Sequence, residues 1–323
     1  GFRFDLMGVH DIGTMNEVRR ALDRIDPSIL LYGEGWTAAR SPLDESLRAV
    51  KRAGPRLPRI AVFGDDLRDA LRGGWGDSTE PGFVSGKSGL DRNVRFGVVG
   101  ATAHFQVGFD SSGDSPVAYG GHSAETINYV SCHDDLSLVD KLRASAPEGM
   151  TEEELVRFDK LAQTVVLTAQ GIPSLFAGEE MLRTKGGVSN SHDSPDRVNR
   201  IDWSFKADHK DVFDYYRGLI ALRRTHPAFR LATAAEIERH LRFLDTGDTH
   251  VVAYRLVDHA GGDPWREILV VYNGARAEKR VRIPPGDWHA VCLDGRIASE
   301  ALAVFSGDSV PVPASSALIA YLP

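Results

Sequence analysis

Three acidic residues follow three separate short apolar segments of this 323-residue chain. Asp5 follows Gly-Phe-Arg-Phe, Glu34 follows Leu-Leu-Tyr-Gly, and Asp134 follows Asn-Tyr-Val-Ser-Cys-His. If these segments are neighbouring parallel strands, their carboxyl ends meet at one face and the three side chains converge there. Two carboxylates about 5 Å apart perform retaining glycoside hydrolysis, one as the nucleophile and the other as acid and then base. The third can stabilise an oxocarbenium-like transition state.

The neighbours of two of these acids fit that chemistry. Arg3 lies two residues before Asp5, so both side chains point to the same side of a strand, where the cation stabilises the charged carboxylate. Glu34 stands between glycines and next to Trp36, apolar surroundings that suit a proton donor. Acidic residues at strand ends are nevertheless common in α/β proteins, so spacing alone does not establish catalysis.

The elements that must position these residues alternate between strands and helices in the first part of the chain. The apolar patterns predict strands at 2–7, 29–33, 59–63, 126–131 and 172–177, and helices at 14–26, 43–53, 152–170 and 211–224. A Gly- and Asp-rich stretch at 64–121 predicts a long, partly ordered loop. This alternation predicts an α/β fold that amounts to about half of an eight-stranded (β/α)8 TIM barrel.

The pattern changes after Pro227 to short β-rich segments separated by Gly- and Pro-containing turns. Strands are expected at 249–257, 267–273, 279–283, 288–293 and 316–321. We therefore predict two domains, a partial (β/α)8 domain at 1–228 and a C-terminal all-β sandwich at 229–323.

Several strings, in order along the chain, resemble the alpha-amylase superfamily of glycoside hydrolases and are most similar to its type I pullulanase branch. They are GFRFDLMG (1–8), YGEGW (32–36), AVFGDDLRDALRG (61–73), NYVSCHDDLSLVDKL (128–142), QGIPSLFAGEEMLRTKGGVSNS (170–191), SPDRVNRIDW (194–203) and VPVPASSALIAYL (310–322). The resemblance implies that the chain corresponds to the C-terminal half of such an enzyme. Its first domain would hold the catalytic barrel from about the fourth strand onward.

The resemblance implies a role for each of the three acids. Asp5 is expected to be the nucleophile, Glu34 the general acid/base and Asp134 the transition-state stabiliser. The implied activity is retaining hydrolysis of α-1,6-glucosidic branch linkages in pullulan, amylopectin or glycogen-derived dextrins. Two alternatives stay open: an α-1,4-acting amylase or glycogen-debranching relative, and a catalytically silent α-glucan-binding fragment.

Four further residues are expected to contact the substrate. The resemblance implies that Arg3 and His133 contact the nucleophile and the sugar, that Trp36 is a sugar-stacking platform and that Asn190 is a weaker sugar contact. A packed core aromatic and a loop-capping residue are the alternatives for Trp36 and Asn190. The family usually reads His-Asp-Asn where this chain has Asp135 in third place, which adds a negative charge beside the expected stabiliser.

One conserved region of the family has no counterpart in this chain. That region lies on the third barrel strand and contributes an Asp and a substrate-binding His. We therefore expect the chain to need the N-terminal half of the barrel, to be inactive alone, and to bind an α-glucan polysaccharide or oligosaccharide.

Composition excludes several other classes of protein. The chain has 38 Lys plus Arg against 45 Asp plus Glu, a net charge of −7, which argues against nucleic-acid binding. No apolar run approaches the roughly 20 residues of a membrane span. The two cysteines, Cys132 and Cys292, exclude a disulfide scaffold or a four-cysteine zinc site. No cofactor is expected to be required; Asp65, Asp66 and Asp69 offer ligands for a structural calcium, but a solvated loop or helix cap is favoured.

Overall fold

Five short parallel strands form the sheet that carries the acidic residues. They pair in chain order, each strand beside the next, as the strands of a barrel wall do. The strands are β1 (Phe2–Phe4), β2 (Leu31–Gly33), β3 (Ala61–Phe63), β4 (Thr126–Asn128) and β5 (Ile172–Pro173). The structure, a computed structural model, describes residues 1–38, 40–108 and 118–323.

Helices connect these strands and lead into the second part of the chain. In the described ranges they are α1 (Ile12–Asp23), α2 (Asp65–Arg72), α3 (Asp91–Val98), α4 (Leu138–Ala144), α5 (Glu152–Thr168), α6 (Asp196–Asn199), α7 (Phe205–Asp208), α8 (Lys210–Thr225) and α9 (Ala234–His240). None of these described helices is both long and apolar enough to cross a bilayer.

The long helix α5 has two sequence features that make a helix predictable, a capping box at its start and apolar residues at helical spacing. Thr151 and Glu154 form a reciprocal capping box, in which the Glu154 amide donates to the Thr151 hydroxyl at 3.2 Å and the Thr151 amide donates to the Glu154 carboxylate at 3.1 Å. Leu155, Phe158 and Val165 lie at helical spacing and are fully buried. The predicted helix at 152–170 is therefore present as α5.

Two sequence predictions in the connecting regions are wrong. The stretch 43–53 forms two 3-10 turns, Glu45–Leu47 and Lys51–Arg56, because Val50 between them adopts an extended conformation that interrupts a helix. The predicted loop at 64–121 contains α2 and α3, whose buried apolar residues were masked by the surrounding glycines and aspartates. Residues 109–117 of that prediction lie outside the described residues.

The second part of the chain is antiparallel. Its main sheet has the order β11-β10-β14-β8-β7-β6, with β12 also paired to β10, and β13 and β9 form a separate pair. The strands are β6 (Leu241–Leu244), β7 (Val251–Leu256), β8 (Glu267–Asn273), β9 (Lys279–Arg282), β10 (Asp287–Leu293), β11 (Arg296–Ile297), β12 (Ala303–Ser306), β13 (Ser309–Val312) and β14 (Ser316–Leu322).

The two faces of the main antiparallel sheet pack against different partners. On β8, Val270 and Tyr272 join the core shared with the helices, whereas Leu269 and Val271 join a second core that includes Val281 of the β9–β13 pair. This alternation is the period-two pattern of a strand buried on both faces. The parallel sheet and the antiparallel sheets together are consistent with a partial barrel followed by a β domain. The boundary at 228/229 stays a prediction.

Buried hydroxyl groups join the antiparallel sheet to the end of α5. Tyr254 on β7 donates to the Thr168 carbonyl oxygen at 3.0 Å, and its hydroxyl lies 3.1 Å from that of Tyr272. The Tyr272 hydroxyl also bonds to the Thr168 side chain. Because both tyrosines are buried, their hydroxyls depend on these partners for their hydrogen bonds.

Replacing Tyr254 with Phe should lower the free energy of unfolding by about 1–2 kcal/mol, because it leaves buried partners without a hydrogen bond. Urea denaturation measures this change. The matched control is Tyr321→Phe on β14, since the Tyr321 hydroxyl has no hydrogen bond to another described residue. The control should change the same free energy by less than about 0.5 kcal/mol. Equal losses in the two variants would contradict the role of the buried hydroxyls.

Candidate active site

Six of the seven predicted site residues border one cavity of about 580 Å³. The cavity lies at the carboxyl ends of the parallel strands, where the sequence predicted convergence. The six residues are Arg3, Asp5, Glu34, Trp36, His133 and Asp134. The seventh, Asn190, is not among the lining residues; it is exposed, and its side-chain oxygen lies 2.9 Å from His192 Nδ1. Its predicted sugar contact stays a prediction.

One guanidinium group joins the two acids that follow β1 and β2. Arg3 Nη1 donates to Asp5 Oδ1 at 2.8 Å, and Arg3 Nη2 donates to Glu34 Oε1 at 2.8 Å. The second Glu34 oxygen accepts from the Leu6 backbone amide at 2.6 Å. The sequence predicted the contact of Arg3 with Asp5 but not the bridge to Glu34, which brings the two carboxylates next to each other.

The two bridged acids differ in their exposure. The Asp5 side chain is 68% exposed, whereas that of Glu34 is 7% exposed. Asp5 is therefore open to a ligand in the cavity, while Glu34 is held at the wall by Arg3 and the Leu6 amide. An exposed carboxylate beside a buried one, with a cation between them, is an arrangement suited to two different chemical roles.

The segment after β4 brings a second pair of side chains to the cavity. His133 Nε2 lies 3.4 Å from Asp134 Oδ2, and the two side chains are 60% and 56% exposed. Trp36 is half-buried and packs at an angle of 42° against Phe63, with ring centroids 6.5 Å apart. Trp36 thus packs against the end of β3 and also borders the cavity.

Several other residues of the cavity wall were not among the seven predicted site residues. Those from α2, from the turn after it and from the β4 end are Asp65, Arg68, Arg72, Trp75, Tyr129 and Asp135. Arg68 and Arg72 are four residues apart, so they lie on one face of α2, and Arg68 donates to the Tyr129 hydroxyl at 2.7 Å. The spacing was visible in the sequence, but the helix itself was predicted as loop.

The extra negative charge of Asp135 has a partner in this wall. Asp135 Oδ2 lies 2.6 Å from Arg72 Nη2. The departure from the His-Asp-Asn pattern of the family therefore leaves no unpaired charge beside Asp134.

The acids considered for calcium are engaged with a cation or with neighbouring groups. Lys51 donates to Asp65 and, at 3.0 Å, to Asp66, while Asp69 accepts from Arg68 at 2.6 Å. Burial opposes the charge of Lys51, but the two aspartates outweigh it and raise the pKa of the lysine. Across residues 1–38, 40–108 and 118–323, no group of three or more His, Cys, Asp or Glu is placed to hold a metal ion.

A buried acid supports the segment that leads to His133. Glu179 bonds to the Ser131 hydroxyl and accepts from Gln163 Nε2 at 3.0 Å and from the Phe176 amide at 3.1 Å. Burial raises its pKa to about 7, and these hydrogen bonds only partly offset that effect. No sequence signal distinguished this glutamate from Glu180 beside it.

Comparisons with known proteins give one consistent relationship. A pullulanase all-beta domain is recognised at residues 237–296. The pullulanase of Bacillus subtilis (strain 168) is 36% identical over 284 residues, which cover 88% of this chain and 38% of that protein. The solved pullulanase from Bacillus acidopullulyticus matches with a TM-score of 0.91 at 40% identity, over 99% of this chain and 37% of that one. The pullulanase from Paenibacillus barengoltzii, in complex with maltohexaose and alpha-cyclodextrin, matches with a TM-score of 0.87 at 42% identity. This match covers 100% of this chain and 48% of that one.

The proteins named in these comparisons are pullulanases, which are glycoside hydrolases. Within that class the chain is similar to the pullulanases along most of its length, in sequence and in fold, so the recognition made from the sequence strings is confirmed. The chain spans less than half the length of each of these relatives, between 37% and 48%.

The buried Glu179 gives a pH-dependent prediction. Its folded-state pKa of about 7 lies above the ordinary 4.5, so the unfolded chain releases this proton first and stability falls as pH rises from about 4.5 to 7. Glu179→Gln removes the charge and, like the protonated acid, offers one oxygen acceptor and one donor in the same space. At pH 8 this variant should exceed the native free energy of unfolding by up to about 3 kcal/mol, and the difference should vanish near pH 4.

Urea denaturation at several pH values measures the difference. Glu154→Gln is the control of opposite sign, because the hydrogen bond from Arg276 lowers the Glu154 pKa. That bond therefore stabilises the fold at pH values above the pKa of this glutamate in the unfolded chain. That variant should be less stable than the native protein at pH 8 and match it in acid. If the free energies of unfolding of the native protein and Glu179→Gln differ by the same amount at every pH, the raised pKa assigned to Glu179 is wrong.

Proposed function

We propose that this chain supplies the reacting carboxylates of a retaining glycoside hydrolase that cleaves α-1,6-glucosidic branch linkages. The expected substrates are α-glucans such as pullulan, amylopectin and glycogen-derived dextrins. The observation that carries the proposal is the Arg3 bridge between Asp5 and Glu34, in a cavity that also holds Asp134. The complex of the Paenibacillus barengoltzii pullulanase with maltohexaose and alpha-cyclodextrin supports an α-glucan as the ligand class.

The proposed reaction has two displacement steps. In the first, an Asp5 oxygen attacks the anomeric carbon while Glu34 donates a proton to the leaving glycosidic oxygen, so that a glycosyl ester forms and the linkage breaks. In the second, Glu34 takes a proton from water, which attacks the anomeric carbon and frees Asp5. Asp134 stabilises the positive charge that develops on the sugar ring in both steps.

Arg3 gives this proposal a physical basis. Each step begins with one of the two groups charged, Asp5 before its attack and Glu34 after it has donated its proton, and the Arg3 guanidinium lies beside both. When Asp5 is esterified, Arg3 still holds Glu34 in the cavity for the second step. His133 and Trp36 are proposed to contact the sugar, His133 beside the stabiliser and Trp36 by stacking.

The proposal assigns the activity to a complete barrel. The described residues form five parallel strands, whereas closing a (β/α)8 barrel requires eight. We propose that β1–β5 correspond to the fourth to eighth strands, that residues 1–228 form the catalytic part and that 229–323 form the β domain. Turnover is therefore expected from the protein that includes the other three strands.

Asp5→Asn and Glu34→Gln should each lower the release of reducing sugar from pullulan by about 1,000-fold or more in the complete gene product, because each removes a reacting group. Maltotriose should be the main product of the native enzyme, which separates α-1,6 from α-1,4 cleavage. Reducing-sugar assays and product chromatography measure both.

The matched control is Glu125→Gln. Glu125 is also a buried glutamate that accepts from backbone amides, those of Arg59 at 2.9 Å and Gly121 at 2.8 Å, but it does not border the cavity. This variant should keep the native kcat. If both Asp5→Asn and Glu34→Gln keep their activity, the catalytic roles assigned to Asp5 and Glu34 are wrong. Glucan binding without turnover in the native protein would favour a catalytically silent binding role.

A further inference from the structure

Two buried cations hold the loop 133–136, which carries His133 and Asp134 between β4 and α4. The first is Arg72, the last residue of α2, which is 1% exposed. Its Nη2 bonds to Asp135 Oδ2 at 2.6 Å, and its Nη1 donates to the Leu136 carbonyl oxygen at 3.0 Å. One guanidinium therefore binds both a side chain and the backbone of this loop.

The second cation is Lys185, which is 2% exposed and lies beyond β5. Its ammonium donates to the His133 carbonyl oxygen at 3.1 Å, to that of Ser189 at 3.3 Å, and to that of Asp135. Arg72 and Lys185 approach the loop from different elements and use different oxygens. Together they fix its backbone at three of its four positions, 133, 135 and 136.

The conformation they hold is a costly one. Asp135 has φ = +60°, the left-handed region, which costs a residue other than glycine about 1 kcal/mol. The side chains of His133 and Asp134 stay more than half exposed in the cavity. The cations thus restrain the backbone of the loop and leave these two side chains open to a ligand.

We propose that Arg72 and Asp135 are a positioning pair that places the Asp134 carboxylate for the reaction. This inference rests on the proposed function, in which Asp134 stabilises the transition state. A buried ion pair adds little net stability compared with an apolar pair of the same volume, so stability alone is a weak reason for this one. Its consequence is geometric, because Asp134 directly precedes Asp135, whose side chain binds Arg72, and lies between two residues, 133 and 135, whose carbonyl oxygens bind Lys185.

The test compares Arg72→Met with Arg223→Met in the complete gene product. Arg223 is a similarly buried arginine that donates to the carbonyl oxygens of Leu167 at 3.0 Å and Ala169 at 2.8 Å, away from the cavity. Arg72→Met should speed amide hydrogen exchange in residues 132–138 by about 10-fold or more and lower kcat by about 10- to 100-fold, with KM changed less than about 3-fold. Arg223→Met should lower stability without either effect.

A variant in the partner residue separates positioning from stability. In Asp135→Asn the amide oxygen still accepts from Arg72, and asparagine tolerates the left-handed backbone, so kcat should stay within about 3-fold of native. Adding Asp135→Asn to Arg72→Met removes the charge that Arg72→Met leaves unpaired on the partly buried Asp135. The double variant should regain stability while its kcat stays low, because the guanidinium that held the Asp135 side chain and the Leu136 carbonyl oxygen is still absent.

Two results would overturn the positioning role. One is native exchange rates at 132–138 in Arg72→Met, and the other is a double variant in which kcat recovers together with stability. A native protein without turnover on any α-glucan would instead overturn the proposed function. In that case the exchange measurement still decides whether Arg72 holds the loop.

Discussion

The site depends on the register between β1 and β2. Phe2, Arg3 and Phe4 pair in parallel with Leu31, Tyr32 and Gly33, so the residues that follow, Asp5 and Glu34, emerge side by side. Gly33 makes this approach feasible, because a Cβ there would lie 2.7 Å from the Phe4 carbonyl oxygen. The Arg3 guanidinium can then reach both carboxylates. A shift of the register by one residue would send one of the two acids to the opposite face of the sheet.

Charge pairing is the second feature that organises the cavity. Several acids lie close together in the cavity wall, and cations offset their repulsion. Arg3 binds two of them, Asp5 and Glu34, and Arg72 binds Asp135. Asp134 is the exception, since its partner is the imidazole of His133 at 3.4 Å. The acids that pair with a guanidinium and the one beside an imidazole therefore differ in their surroundings, as the proposed division of roles requires.

Local patterns were sufficient to predict much of the fold and the main acids of the cavity. Short apolar strands followed by Asp5, Glu34 and Asp134 could be read directly, because strand ends of a parallel sheet lie on one side. Helix α2 was missed because its acidic start and neighbouring glycines resemble a loop. The partner of Asp135 was not predictable, since Arg72 is 63 residues away and only the packing of α2 against the β4 end brings them together. Asn190 illustrates the reverse case, a string match that the structure does not bring to the cavity wall.

In the proposed mechanism Asp5 forms a covalent bond to the sugar while Arg3 and Glu34 stay beside it. Mass spectrometry of the complete protein, after reaction with a fluorinated α-glucosyl fluoride that slows the second displacement, tests this most directly. We expect one added glycosyl group, on the peptide that contains Asp5, and slower loss of that group in Glu34→Gln. A label on a different residue, or turnover with no covalent intermediate and an inverted anomeric product, would contradict it.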